Sequence, residues 1–177
     1  MAAHTILPAL APEMDIPTDG TLVTTLAALL VKTSRGSVTL ASTNPEDDPI
    51  LDPHYLDTAV DRTTQREAVK RVIRAVESEA GKEMFEREVV PNGFQPLTSQ
   101  SSDADIDARV RHSGVSWWHA AGTAAMGKVV DSQLKVKNME GLRVVDASVL
   151  PVAISGHYQV TIYALAEQAA DIIAKGS

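Results

Sequence analysis

Two histidines, His119 and His157, stand where side chains could do acid–base chemistry. Each lies in a glycine-containing loop beside aromatic residues: His119 follows Trp117 and Trp118 and precedes Gly122, and His157 sits between Gly156 and Tyr158. Loops of this kind place side chains on cleft walls rather than inside packed helices. A neutral imidazole accepts a proton from a hydroxyl, and a second imidazole can hold the resulting alkoxide. The competing reading is that both rings make loop-anchoring hydrogen bonds, and the residues alone leave the two readings open. Trp117 and Trp118 would line an apolar substrate pocket, unless one of them is simply core. His54, in the turn Asp52-Pro53-His54-Tyr55, reads as structural. His112, at the end of a predicted helix, reads as a partner of the helix dipole. No third histidine or carboxylate stands at a metal-ligand spacing, so no metal site is expected.

The elements that must carry these loops are legible in part. Residues 1–20 hold Pro8, Pro12, Pro17 and Gly20 and read as an extended arm; residues 21–177 read as one domain. Thr21 to Thr33 is rich in Val, Leu and Thr, and Ser37 to Ala41 alternates apolar and polar residues, so the two are expected as strands of a hairpin across Ser34-Arg35-Gly36. Asn44 to Pro53 reads as a loop. From about Asp57 to Phe85 the period is helical, with Val69, Val72, Ile73 and Val76 on one stripe, Glu67 facing Arg71, and an interruption at Gly81. A short helix is expected to start near Ser102 with a capping box to Asp105, to bury Ile106 and Val110, and to stop at Gly114. Leu142 to Val145 reads as a buried strand. Thr161 to Ala174 reads as an amphipathic helix with Ile162, Leu165, Ala169, Ile172 and Ile173 on one side and Glu167 and Asp171 solvated. Strands and helices are segregated, which predicts an α+β fold.

The 177 residues suffice for a real core, and 44% hydrophobic residues is an ordinary globular value. A net charge of -7 and a pI near 5.1 argue against nucleic acid and anionic membrane surfaces as partners. There is no cysteine, hence no disulfide, thiol nucleophile or thiolate site. Met1 to Met14 lacks a basic start and a long apolar run, so no signal peptide is read, and no run is long enough to span a bilayer. A soluble, cytoplasmic protein is the expectation.

The densest stretch runs from Trp117 to Asp171. It contains His119-Ala120-Ala121-Gly122-Thr123, Gly141-Leu142-Arg143-Val144-Val145-Asp146-Ala147-Ser148, His157-Tyr158-Gln159 and Ala166-Glu167-Gln168-Ala169-Ala170-Asp171. Upstream stand Ser34-Arg35-Gly36-Ser37-Val38-Thr39-Leu40 and Asp52-Pro53-His54-Tyr55-Leu56. In order, spacing and identity these segments resemble the carboxy-terminal, substrate-binding domain of the glucose-methanol-choline (GMC) flavin oxidoreductases. The resemblance covers nearly all the chain past residue 22. It implies an antiparallel or mixed sheet with helices packed on one face. It also implies that His119 lies by the substrate opposite the flavin N5, with His157 completing a pair that takes the hydroxyl proton. The segment Asp146, Ala147 and Ser148, and the stretch around Gln159, would lie against FAD.

Three departures bear on function. No strand followed by Gly-x-Gly-x-x-Gly and a helix is present, the run that cradles the pyrophosphate in whole family members. Ala120 and Ala124 replace a common proline and cysteine. Tyr158 stands where a small residue or proline is common; its phenol would fill flavin space or act as an acid. These departures, with a chain that opens on Met1 and ends just past the family's last helix, lead to the expectation of a complete small enzyme without cofactor. It would use His119, His157 and Tyr158 for redox-neutral chemistry (cyclisation, isomerisation, elimination or addition) on a small hydroxylated or carbonyl substrate, in a setting such as natural-product biosynthesis. One alternative is the carboxy-terminal part of an FAD-dependent oxidoreductase acting on CH–OH donors; another is a non-catalytic binding remnant. An uncovered strand edge and apolar face would be covered by residues 1–20 or in a homodimer.

Overall fold

The computed structural model describes residues 2–4, as backbone, and residues 19–175. Most of the expected amino-terminal arm therefore lies outside the described residues. The protein is α+β, and the chain divides into two compact units: residues 1–29 with 56–117, and residues 30–55 with 118–177.

In the first unit β1 (Ala2–His4) pairs antiparallel with β2 (Thr25–Ala27), His4 opposite Thr25. Helix α1 (Ala59–Glu77) begins at Thr58, whose side chain accepts the Asp61 N–H. Its stripe buries Val69 and Ile73, with Val72 partly covered, and these meet Ile106 and Val110 of α3 (Asp103–Ser113) and Ala27 of β2. Each such aliphatic side chain removed from water stabilises the unit by about 1.5–3 kcal/mol. Gln65, on the same face of α1, donates from Nε2 to the Ala27 carbonyl at 3.1 Å and so fixes β2 on the helix. The helix breaks at Ser78 rather than at Gly81. The Ser78 hydroxyl donates to the Ala75 carbonyl at 2.7 Å and accepts the Gly81 N–H, ending α1 and opening α2 (Glu79–Met84). Gly81 is buried within α2; a Cβ there would stand 2.2 Å from the Ala75 carbonyl, so the turn closes only around glycine.

Helix α3 carries the expected capping box between Ser102 and Asp105. On the outer faces Arg66 of α1 binds Asp107 and Asp103, and Lys70 binds Asp103 at 2.8 Å. The Arg66 guanidinium holds the Asp107 carboxyl below the usual carboxylate range. Glu67 pairs with Lys70 at 3.3 Å instead of with Arg71.

In the second unit β3 (Ser37–Thr39) pairs antiparallel with β4 (Ile50–Asp52), Val38 opposite Leu51. The expected hairpin between β2 and β3 does not form: each strand takes another partner, and β4 arises inside the segment read as a loop. Both strands of this ribbon are exposed. The core of the unit is Val130, Leu134, Val149 and Ala169, with Met126, Val136, Val144 and Leu165 packed on it. Around it the chain is mostly turns joined by single bridges, such as Lys135 with Arg143. The expected buried strand Leu142 to Val145 is therefore only this bridge; Leu142 and Val145 are exposed and Val144 alone packs inward. A 3-10 turn (Ala147–Val149) and helix α4 (Gln159–Ala174) complete the unit. On α4 Ala169 is buried, whereas Ile173 is half exposed.

Candidate active site

The site residues of the second unit are placed by backbone pairing rather than by regular strands. The loop after His119 runs beside the 3-10 turn: the Gly122, Ala124 and Met126 N–H groups donate to the carbonyls of Ala147, Ser148 and Val149 at 3.3, 2.9 and 2.8 Å. Gly122 has φ +87°, a left-handed value that a side chain adopts only under strain, and an added Cβ would stand 3.2 Å from the Leu150 carbonyl. Its role in the site was not legible beforehand, since a glycine in a motif does not declare its φ. Asp146 accepts the Ser148 N–H at 2.8 Å, which fixes the 3-10 turn, and hydrogen bonding from the Ser148 side chain and then its backbone draws the Asp146 carboxyl below the usual carboxylate range.

This scaffold brings His119 and His157 together across 38 residues of sequence. Nε2 of His119 and Nδ1 of His157 are 2.7 Å apart, a hydrogen bond between imidazoles. The rings are nearly perpendicular, at 86°, with centroids 4.9 Å apart. His119 is half-buried and His157 exposed. Tyr158, at the start of α4, is buried at 7% exposure and stacks on His119 with centroids 5.0 Å apart and planes at 20°. Its contact with His119 is therefore through the ring face, not the hydroxyl.

Such a bond has one consequence for chemistry. One nitrogen must carry the hydrogen and the other the lone pair. Between two neutral rings this couples the outer nitrogens as well: the ring that donates the shared hydrogen has a bare outer nitrogen and the ring that accepts it has a protonated one, an acceptor and a donor of the kind that transfer to and from a hydroxyl requires.

The other candidates are placed as follows. Trp117 closes the first unit and is half-buried; Trp118 opens the second segment of the other unit, 70% exposed and with φ +54°. Asp146 and Gln159 are exposed and Ala147 is half-buried. His54 binds Asp52 at 2.9 Å within its own turn, in keeping with a structural part. His112 lies in the last turn of α3, with its ring 4.7 Å from Phe94. In the first unit a cleft of about 340 Å³ is lined by Leu22, Val72, Ile73, Phe85, Val89 and Leu97 among others, and by none of the candidate site residues.

The fold is that of a carboxy-terminal domain of the GMC type. The carboxy-terminal GMC oxidoreductase family model matches residues 32–166, and the chain belongs to that family. It is 47% identical over 161 residues to the GMC-type oxidoreductase acuG of Aspergillus aculeatus, covering 91% of this chain and 31% of the relative. It is 40% identical over 155 residues to versicolorin B synthase stcN of Emericella nidulans, covering 84% of this chain and 24% of the relative. Among solved structures, an FAD-dependent oxidoreductase from Chaetomium thermophilum superposes with a TM-score of 0.70 at 32% identity, over 83% of this chain and 26% of that one. The chain thus spans about a third or less of the length of these relatives.

Members of this class carry FAD, and the residues present fit one edge of such a group. The first turn of α4 has no side-chain cap, so its backbone N–H groups and the exposed Gln159 amide offer donors suited to carbonyl oxygens of a planar ring. No glycine-rich loop for the phosphates is among these residues.

Proposed function

We propose that His119 and His157 are an acid–base pair that takes the proton from a hydroxyl of a small-molecule substrate, on the substrate side of a GMC-type site for oxidation of CH–OH donors. The observation that carries this reading is the 2.7 Å contact between His119 Nε2 and His157 Nδ1. In the step envisaged, the substrate hydroxyl donates to an unprotonated imidazole nitrogen and gives up its proton there. The partner imidazole donates to the oxygen as negative charge develops on it. A flavin, when bound, supplies the acceptor for the hydride that leaves the carbinol carbon, so that alcohol becomes carbonyl with one proton and one hydride accounted for. Gln159 and the first turn of α4 would meet the flavin ring, with Asp146 and Ala147 beside them; Trp118 would contact the substrate.

A second reading keeps the same proton transfer and omits the hydride, giving redox-neutral cyclisation, isomerisation, elimination or addition without cofactor. The specific support is the 40% identity to a relative named as a synthase. The missing phosphate loop does not separate the two, because the chain spans only a fraction of its relatives. Self-association as a homodimer belongs to the same proposal. It rests on exposed Val160 and Tyr163 of α4, and a clean monomer by light scattering at high concentration would remove it.

The test is to incubate the gel-filtered chain, with and without FAD, with a panel of primary and secondary alcohols under anaerobic conditions. Flavin bleaching reports oxidation, and mass spectrometry of the FAD-free samples reports redox-neutral products. Turnover should fall by about 10²–10⁴-fold in both His119→Ala and His157→Ala, with circular dichroism unchanged. Full turnover in either variant contradicts the proposal.

A further inference from the structure

His119 lies in a segment with no helix or strand to fix its rotamer, yet its Nε2 must meet one nitrogen of one ring. Two contacts constrain it: the hydrogen bond to His157 and the face-on stack with Tyr158. These are of different kinds. The hydrogen bond fixes a direction at one atom and leaves the ring plane free to rotate about it. The stack fixes the plane, since two rings 20° apart at 5.0 Å resist tilting. Tyr158 is suited to this. It is buried, and its backbone is held at the start of α4, where its carbonyl accepts the Ile162 N–H at 2.8 Å.

We infer that Tyr158 is a positioning residue, the wall that sets the plane of the His119 imidazole so that Nε2 faces His157. This deepens the proposed acid–base role of the pair and rests on it. It replaces the expectation that the phenol is itself an acid: what acts is the ring, so phenylalanine should serve and a non-aromatic residue should not. A residue of the small or proline type cannot supply such a wall.

The experiment uses the full chain without substrate. The ring protons of His119 should show an upfield ring-current displacement in proton NMR spectra of the wild type. Tyr158→Phe should keep that displacement together with the hydrogen bond between the imidazole nitrogens; Tyr158→Leu should lose both. Absence of the displacement in the wild type overturns the inference, even if the leucine variant fails to fold. So does its loss in Tyr158→Phe, which would assign the role to the hydroxyl. Turnover on any alcohol found active is a separate arm. There Tyr158→Leu should lower kcat by on the order of ten- to a hundredfold with KM little changed, and phenylalanine should rescue it. A lost displacement with kcat unmoved would leave the positioning intact and refute the acid–base reading instead.

Discussion

The bond between His119 Nε2 and His157 Nδ1 divides the four ring nitrogens into an inner pair that shares a hydrogen and an outer pair, His119 Nδ1 and His157 Nε2. A shift of the His119 loop that bends this bond weakens it, because hydrogen bonds weaken steeply at bent angles. Gly122 is a point in that loop where a side chain would force such a shift. Gly122→Ala adds a side chain at φ +87° and a contact of 3.2 Å with the Leu150 carbonyl. It should cost about 1–2 kcal/mol from the left-handed backbone alone, seen as a lower denaturant midpoint, and reduce turnover more than the stability loss explains. The two histidines were legible as loop residues beside aromatics. The stack of Tyr158 on His119 was not, because periodicity carries no register between two irregular loops 39 positions apart in sequence.

Among the elements, α3 is bound to the rest of its unit by a buried charge. Arg109 is 3% exposed; it donates to Glu88 Oε1 and, at 2.7 Å, to the Gln95 carbonyl, and lies over the Phe94 ring. Glu88 also accepts the Leu97 N–H at 2.8 Å, so one carboxylate closes the 88–97 segment around the guanidinium. Glu88→Ala leaves that charge buried without its partner and should destabilise the protein by about 3 kcal/mol, measurable by urea unfolding. None of this was visible in the sequence, where Glu88 and Arg109 are two charges among many. The helices were visible, since α1, α3 and α4 each repeat apolar residues at helical spacing and two of them open on a capping residue. The strands were mispaired. At three residues each, alternation marks a strand but encodes no partner, and β2 and β3 joined β1 and β4 instead of one another.

For the whole molecule, the family is settled by the match over residues 32–166, while its first named relative is about three times longer than the matching part. Among the described residues no helix is long and apolar enough to cross a membrane. The apolar side chains Val38, Ile50 and Leu51 of the β3–β4 ribbon are exposed, as are Val160 and Tyr163 of α4. The proposed proton transfer is assigned to the His119–His157 pair. The most direct test of that pair is a ¹⁵N NMR measurement of the imidazole nitrogens near neutral pH. The account predicts a scalar coupling across the hydrogen bond between His119 Nε2 and His157 Nδ1, with one nitrogen protonated and the other bare. Two rings that show no coupling and exchange their tautomers independently would contradict it.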